Sequence, residues 1–215
     1  GGVSVHDLKK NSTAQGLTVK ETLRAPTFWL ISLLWLFMAF PVYMIVVHLI
    51  PYSTDMGISV IAAASIMTVA GISNVVGRIS LGHISDKFGS KTILLISFVM
   101  IIFGLLLLIN AHSLMIFYLA AALISLFLNG SDTVVIKVLA DLFGVKSLGF
   151  IVGATSLVWR IGAASGAYLA GLFFDATDSY VAIFSLATVA MYICFIITIF
   201  VFKKKPSQVA VVVSQ

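Results

Sequence analysis

Long apolar stretches alternate with short polar breaks along most of the chain. Each stretch is close to the roughly 20 residues that an α-helix needs to cross a hydrocarbon core about 30 Å thick. Apolar runs of this length without strict alternation are helices, and a bilayer admits only helices and closed barrels. The pattern predicts an all-α membrane protein with six transmembrane helices near residues 28–50, 58–84, 92–109, 114–139, 148–174 and 180–202.

The composition agrees with this prediction and excludes several classes of protein. Hydrophobic residues make up 60% of the 215 residues and charged residues 10%, whereas soluble domains contain roughly 25% charged residues. The formal net charge is +5, but the basic residues lie between apolar runs, which argues against a nucleic-acid partner. One cysteine, Cys194, and four scattered histidines predict no disulfide framework, no metal site and no cofactor. The lipid bilayer is the expected environment.

Lysine and arginine residues indicate how the helices are oriented. Eleven of the thirteen fall at one side of the predicted bundle, and cytoplasmic loops carry the excess of positive charge. We therefore expect both termini in the cytoplasm, with residues 1–25 as a cytoplasmic loop, 26–202 as the helix bundle and 203–215 as a cytoplasmic tail. The plasma membrane is the expected location. The other two basic residues, Arg78 and Arg160, lie inside predicted helices.

A short motif occurs twice, at equivalent places in the two halves of the chain. Gly82-x-x-x-Asp86 ends the second predicted helix and Gly171-x-x-x-Asp175 ends the fifth, an offset of 89 residues. Three helices separate the copies, and an odd number of crossings places the two aspartates on opposite sides of the membrane. This predicts an inverted repeat of three plus three helices, as found within transporter halves. The alternative is that two such short matches arise by chance.

Costly polar side chains are confined to four of the six predicted helices. The third and sixth helices contain no charged or amide side chain, which indicates scaffold helices at the lipid-facing periphery. The other four should surround an interior, because ionisable groups inside a membrane face a cavity or a partner. Their polar residues are His48 in the first helix, Asn74 and Arg78 in the second, Asn129 and Asp132 in the fourth, and Arg160 in the fifth.

The turn between the second and third helices carries a family motif. Residues 82–91, Gly-His-Ile-Ser-Asp-Lys-Phe-Gly-Ser-Lys, resemble the signature loop of the major facilitator superfamily, Gly-x-x-x-Asp-Arg/Lys-x-Gly-Arg/Lys-Arg/Lys. Only Ser90 departs from it. In that family the loop lies between the second and third helices of each half. The resemblance implies the C-terminal six-helix half of a transporter, whose partner is the N-terminal half or a second copy.

The same resemblance implies a conformational role for the motif. In the family its acid contacts a neighbouring helix end in one conformation and releases it in the other. Asp86 can also reach the N-terminus of the fifth helix near Ser147, where the helix dipole favours an acid. The alternative is an ordinary positively charged turn. The residues of the predicted gate are Gly82, Asp86, Lys87, Gly89 and Lys91.

Four other stretches resemble the monocarboxylate and oxalate/formate branch of the superfamily. They are residues 27–29, 48–52, 140–144 and 170–177. The resemblance implies secondary active transport of small organic anions by alternating access, with a monocarboxylate such as lactate as substrate and with proton coupling. Two alternatives stay open, a dicarboxylate exchanger of the oxalate/formate type and a half-transporter that works as a homodimer. An enzyme is not expected, because the chain has no Gly-x-Ser-x-Gly motif and no histidine and aspartate set within the helices.

Arg78 is the first candidate for binding the substrate. It lies eight residues from Asp86, about 12 Å along a helix, and an arginine at such depth costs at least about 2.5 kcal/mol. Its planar guanidinium suits a carboxylate, and Asn74, one turn earlier on the same face, can donate to the same group. The alternative is a structural arginine paired with Asp132. The branch carries its substrate arginine in this helix, although its animal members have an aspartate where Asn74 stands.

Arg160 is the second candidate for binding the substrate. It lies about 21 Å along its helix from Lys146 and about as far from Asp175, which places it near the middle of the membrane. The oxalate/formate members are similar to this chain in carrying a lysine in the same helix. Arg160 would contact the substrate, pair with an acid of the other half, or cap a backbone carbonyl.

Asp132 and His48 are the candidates for proton coupling. Asp132 is the one carboxylate within a predicted helix. It serves as a proton carrier or as the fixed counter-ion of an arginine, or it lies nearer the interface. His48 belongs to the residue type that titrates near physiological pH. It also lies three residues from Pro51, a position that fits a hydrated histidine at the outer interface.

Overall fold

The computed structural model describes residues 16–203, which are helical apart from turns and one isolated β-bridge. A short helix, α1 (Val19–Arg24), precedes six long ones. All six are long and apolar enough to cross a membrane, which confirms the predicted all-α fold with six spans. They are α2 (Pro26–Asp55), α3 (Val60–Phe88), α4 (Ser90–Ile109), α5 (Leu114–Phe143), α6 (Leu148–Thr177) and α7 (Tyr180–Lys203).

Several helices extend beyond their predicted ends. α3 continues to Phe88 and α5 to Phe143, where the sequence pattern ended them at 84 and 139. The prediction was wrong there because a charged side chain does not stop a helix. The helices end instead at Gly89 and Gly144, whose φ angles of 84° and 74° glycine adopts without a steric penalty. Pro51 lies inside α2 rather than after it.

The first and last three membrane helices pack in the same way. α3 packs most extensively against α5, and α2 against α6. α4 covers α5, α7 covers α2, and α4 and α7 contact each other. Exchanging α2–α4 with α5–α7 reproduces this pattern. Because consecutive membrane helices run in opposite directions, the second unit is inverted relative to the first, as the repeated motif predicted.

The inverted repeat also relates two individual glycines. A Cβ atom at Gly77 of α3 would collide with the backbone carbonyl oxygen of Leu126 in α5. A Cβ atom at Gly166 of α6 would collide in the same way with the carbonyl oxygen of Phe40 in α2. Gly166 follows Gly77 by 89 residues, the offset of the sequence motif. Only a residue without a side chain permits these close helix approaches, which are typical of membrane helices.

α3 and α6 have the largest open faces of the six membrane helices. In their most apolar stretches only 17% and 22% of the residues are buried, against 50% in both α4 and α7. α4 and α7 each expose an apolar stripe, for example Val99 and Phe103 or Val189 and Ile196, as expected of helices against lipid. Within the part of the chain that the structure describes, the open faces of α3 and α6 have no covering element.

Residues 16–25 dock against the α5–α6 turn. Gly16 forms an antiparallel β-bridge with Gly144, and the Leu17 amide donates to the carbonyl oxygen of Phe143 at 2.9 Å. The Ser147 hydroxyl donates to the carbonyl oxygen of Leu17 at 3.0 Å. The Leu17 side chain is buried. The segment is thus fixed to the end of α5 and the start of α6.

α1 begins with a capping box. The Thr18 hydroxyl oxygen accepts a hydrogen bond from the Glu21 amide, and the Glu21 carboxylate accepts one from the Thr18 amide, an arrangement that stabilises a helix start. The hydrogen bonds from Thr18 hold the pKa of Glu21 below its usual range. The predicted loop therefore contains an ordered helix, while residues 1–15 and the tail at 204–215 lie outside the described residues.

Candidate functional site

Arg78 of α3 is held by polar side chains from its own helix and from α5. Its Nε donates to Asn74 Oδ1 at 2.9 Å, and its Nη2 donates to Asn129 Oδ1 at 3.4 Å. The same Nη2 lies 3.6 Å from Asp132 Oδ2. Among the described residues Nη1 has no hydrogen-bond partner, and 48% of the arginine side chain is exposed. The guanidinium is oriented by the protein but retains a free edge.

Asp132 lies between Arg78 and a tryptophan of α2. Its Oδ1 accepts a hydrogen bond from Trp35 Nε1 at 3.2 Å, and its side chain is 18% exposed. The structure therefore shows the pairing of Arg78 with Asp132 that the sequence left as an alternative. The pairing does not exclude substrate binding, because the ion pair leaves part of the guanidinium accessible.

The local sequence explains how α3 and α5 assemble this cluster. Asn74 and Arg78 are one helical turn apart and share a face, and Asn129 precedes Asp132 by three residues on α5. The Asn129 amide group donates to the Ser125 carbonyl at 2.9 Å, which leaves its oxygen for Arg78. The contact of Gly77 with the α5 backbone lies directly beside Arg78 and brings the two helices close enough for these short side chains to meet.

A cavity of about 220 Å³ opens beside the cluster, between α2, α3 and α5. Asn74 and Asn129, which both bind Arg78, form its polar end. Most of the remaining wall is aliphatic. The other lining residues are Val42, Ile45, Val46, Leu49, Met67, Ala70, Gly71, Ala121, Ile124, Ser125 and Leu128.

Arg160 lies apart from this cluster. It is exposed on α6, and no described side chain forms a hydrogen bond or an ion pair with it. α6 packs on α2 through Gly162 and Gly166, whereas α3 packs on α5. The six-helix bundle therefore does not join Arg160 and Arg78 in one site, and substrate contact by Arg160 stays a prediction.

His48 lies among aromatic rings in the second half of α2, 13 residues after Trp35. The centroid of its ring is 5.7 Å from that of Phe174 and 6.1 Å from that of Tyr180. Its Nε2 atom is buried without a hydrogen-bond partner among the described residues. The interpretation as a hydrated histidine does not fit this nitrogen, and no described contact links His48 to Arg78.

The motif acid has a different partner from the one predicted. Asp86 forms an ion pair with Lys137 of α5 and does not cap α6 near Ser147, whose hydroxyl bonds Leu17 instead. The physical reason is the packing of α3 on α5, which brings Lys137 alongside the end of α3. A role in gating remains a prediction, now as a contact between α3 and α5.

The other motif residues lie in the last two turns of α3, at its end and in the first turn of α4. Gly82 faces Thr133 of α5, where an added Cβ would lie 3.2 Å from Cγ2. The Lys87 ammonium lies 5.5 Å from the centroid of the Phe88 ring. Gly89 ends α3, and Lys91 is exposed in the first turn of α4.

Sequence reasoning missed two members of the Arg78 cluster as site residues. Trp35 gave no signal, because a tryptophan in an apolar run is typical of any membrane helix. Asn129 was recognised as a costly polar residue but not as a partner of Arg78. Its position in an otherwise apolar helix was the available signal. The rotation of α5 relative to α3, which decides the contact, has no local signature.

The sequence family described as Major Facilitator Superfamily matches residues 29–214 of the chain. Because the match covers most of the chain, the chain belongs to this superfamily. This is a family of membrane transporters and not of enzymes, as predicted, and the chain is an integral membrane protein with several spans.

Two curated relatives match parts of the chain. Uncharacterized MFS-type transporter YhjX of Escherichia coli (strain K12) is 27% identical over 137 residues, which are 61% of this chain and 33% of that protein. Monocarboxylate transporter 12 of Xenopus laevis is 36% identical over 72 residues, which are 33% of this chain and 16% of that protein. The matched part of the chain thus spans a third or less of either relative.

Proposed function

We propose that the chain is the C-terminal half of a secondary transporter for small organic anions, with a monocarboxylate such as lactate as substrate. The observation that carries the proposal is the half-exposed guanidinium of Arg78, oriented by two amides at the end of a cavity. A cation inside the membrane is tolerated when it faces a cavity or a partner. Membership of the superfamily supports transport, and the partial match to a protein named as a monocarboxylate transporter supports the substrate class.

The ion pair of Arg78 provides a route for proton coupling. Asp132 lies 3.6 Å from the guanidinium, farther than the roughly 2.7–2.9 Å of a strong charge-assisted hydrogen bond. A proton taken up by Asp132 would remove its negative charge and leave the guanidinium free to bind a substrate carboxylate. Release of the substrate would restore the ion pair and return the proton. One proton and one carboxylate would therefore cross together.

The second wall of the site would come from the N-terminal six-helix half of the same transporter. The open faces of α3 and α6 support this, since they are the least covered surfaces of the bundle. The two bundles would rock about the central site and open it to each side in turn. In this proposal both termini are cytoplasmic and the protein lies in the plasma membrane.

An immunoblot of source membranes tests this partner. The antibody would be raised against residues 203–215. A band near twice the 23.1 kDa of this chain supports a transporter with two halves. A band at the mass of the chain itself contradicts it and favours the homodimer.

Uptake measurements test the role of Arg78. The complete transporter would be reconstituted in liposomes, and labelled lactate uptake would be driven by an inward proton gradient. Arg78→Ala should abolish uptake, and Arg78→Lys should retain part of it, because a lysine keeps the charge but not the two-pronged geometry.

The matched control is Arg24→Ala, which removes an arginine outside the membrane helices and should leave uptake unchanged. Reconstituted amounts would be equalised by immunoblot. Normal uptake by Arg78→Ala would refute the carboxylate clamp.

A further inference from the structure

We propose that the cavity beside Asn74 and Asn129 binds the hydrocarbon tail of the transported carboxylate, and that Gly71 sets the longest tail it accepts. The inference rests on the proposed function, because it assumes that the carboxylate itself binds Arg78. It adds the place where the hydrocarbon tail binds and names a residue that determines specificity.

The distribution of polar groups along the cavity supports the first part. Both amides at its polar end bind Arg78, so the polar end of the cavity lies beside the guanidinium that would hold the carboxylate. The rest of the wall consists of aliphatic side chains apart from Gly71 and Ser125. Among the described residues this wall contains no cation, so a second carboxylate there would have no charged partner on this half, which is unfavourable. This wall therefore disfavours dicarboxylates.

Gly71 is unlike the glycines that hold the helices together. A Cβ atom at Gly77 would collide with the α5 backbone, whereas a Cβ atom at Gly71 has no other atom within 4 Å. Helix packing in the described bundle thus does not require a glycine at position 71. A glycine in a helix interior is also less stable than an alanine. What Gly71 does provide is empty space in the cavity wall, three residues before Asn74.

The inference makes a quantitative prediction for a series of acids. Each methylene group that enters the cavity should raise the apparent affinity about fourfold, until the space is full. A side chain at position 71 should shorten the cavity, so the gain in affinity from the longest tails should be lost first. The affinity for the shortest acid should not change, because its tail does not reach the position.

The test measures inhibition of labelled lactate uptake by unbranched 2-oxo acids of three to seven carbons, with 2-oxoglutarate as the dicarboxylate matched to the five-carbon acid. The complete transporter would be compared with Gly71→Ala and Gly71→Val. The expected result is a step of about fourfold per carbon in the wild type, ending earlier in Gly71→Ala and earliest in Gly71→Val. 2-Oxoglutarate should inhibit all forms weakly.

Gly149→Val is the matched control. It makes the same change in another membrane helix, at a glycine whose added Cβ also has nothing within 4 Å and which does not line the cavity. Its chain-length profile should equal that of the wild type. Gly71→Ala, the smaller change, keeps the test informative if Gly71→Val does not fold.

Two results would overturn the inference in distinguishable ways. Equal inhibition profiles for wild type and both Gly71 variants, or an equal loss for all acids, would refute the role of Gly71 while Arg78 remained the clamp. Absence of saturable monocarboxylate uptake by the wild type would refute the proposed function and this inference with it.

Discussion

α3 and α6 occupy equivalent positions in the inverted repeat, yet they differ in their polar residues. Each packs against its partner helix through a glycine at a carbonyl oxygen, and each carries one arginine. Arg78 is bound by three side chains, whereas Arg160 has no partner among residues 16–203. The residue 89 positions after Arg78 is Ala167, and the one 89 positions before Arg160 is Gly71. The repeat thus preserves close backbone packing but not chemistry.

The largest effect is expected from filling the two repeated glycine contacts. Gly77→Leu should separate α3 from α5, and Gly166→Leu should separate α2 from α6, because a backbone carbonyl cannot move aside as a flexible side chain can. Overpacking costs about 1–3 kcal/mol, and more at such sites. Thermal unfolding in detergent and recovery of monodisperse protein would measure the loss. Gly149→Leu, at an open position, is the control. A loss of stability at only one of the two glycines would show that the two units share their helix contacts but not this close backbone packing.

The next effect separates the two arginines. Arg78→Gln should reduce lactate uptake about 100-fold, because it removes the charge that would bind the substrate carboxylate. Arg160→Gln should reduce it by less than about tenfold, since no described group depends on its charge. Uptake rates at saturating and limiting lactate would be measured for both. Equal losses would indicate that both arginines contact the substrate, as the dicarboxylate alternative requires.

A third change removes Asp132, the acid that pairs with Arg78, so that Arg78, like Arg160, has no acidic partner among the described residues. Asp132→Asn should abolish proton-driven accumulation of lactate, because the site can no longer take up and return a proton. Exchange of internal for external lactate should persist, since the guanidinium is retained. Counterflow and gradient-driven uptake would be compared in the same liposomes. Unchanged dependence on the proton gradient would show that Asp132 is a fixed counter-ion and not the coupling group.

The smallest effect concerns the tryptophan behind the acid. Trp35→Phe removes the hydrogen bond to Asp132 and should lower stability by about 1.5 kcal/mol, the value for a hydrogen bond to a charged group. Trp159→Phe is the control, because the Trp159 and Tyr43 rings form a T-shaped pair and no described carboxylate bonds to Trp159. Thermal unfolding would compare the two. Equal shifts in midpoint would mean that Trp35 acts through packing alone.

The sequence predicted the six helices because the length of an apolar run can be read directly from consecutive residues. It placed the end of α3 too early, since Asp86 and Lys87 interrupt the apolar run but not the helix. Asn74 and Arg78 were correctly placed on one face, because their spacing within one helix fixes that.

Contacts between helices were the harder part. The partners Trp35 and Lys137 lie 97 and 51 residues from the acids they contact, and only the rotation of packed helices brings them there. Gly71 and Gly77 look alike in sequence, although one lines a cavity and the other touches a backbone.

The docked segment before α2 has a mechanical consequence. Gly16 cannot be replaced without strain, because its φ is 144° and an added Cβ would lie 2.9 Å from the Phe143 carbonyl oxygen. This tether joins the chain that enters α2 to the turn between α5 and α6. A displacement of the segment before α2 therefore acts on the second inverted unit as well as on the first.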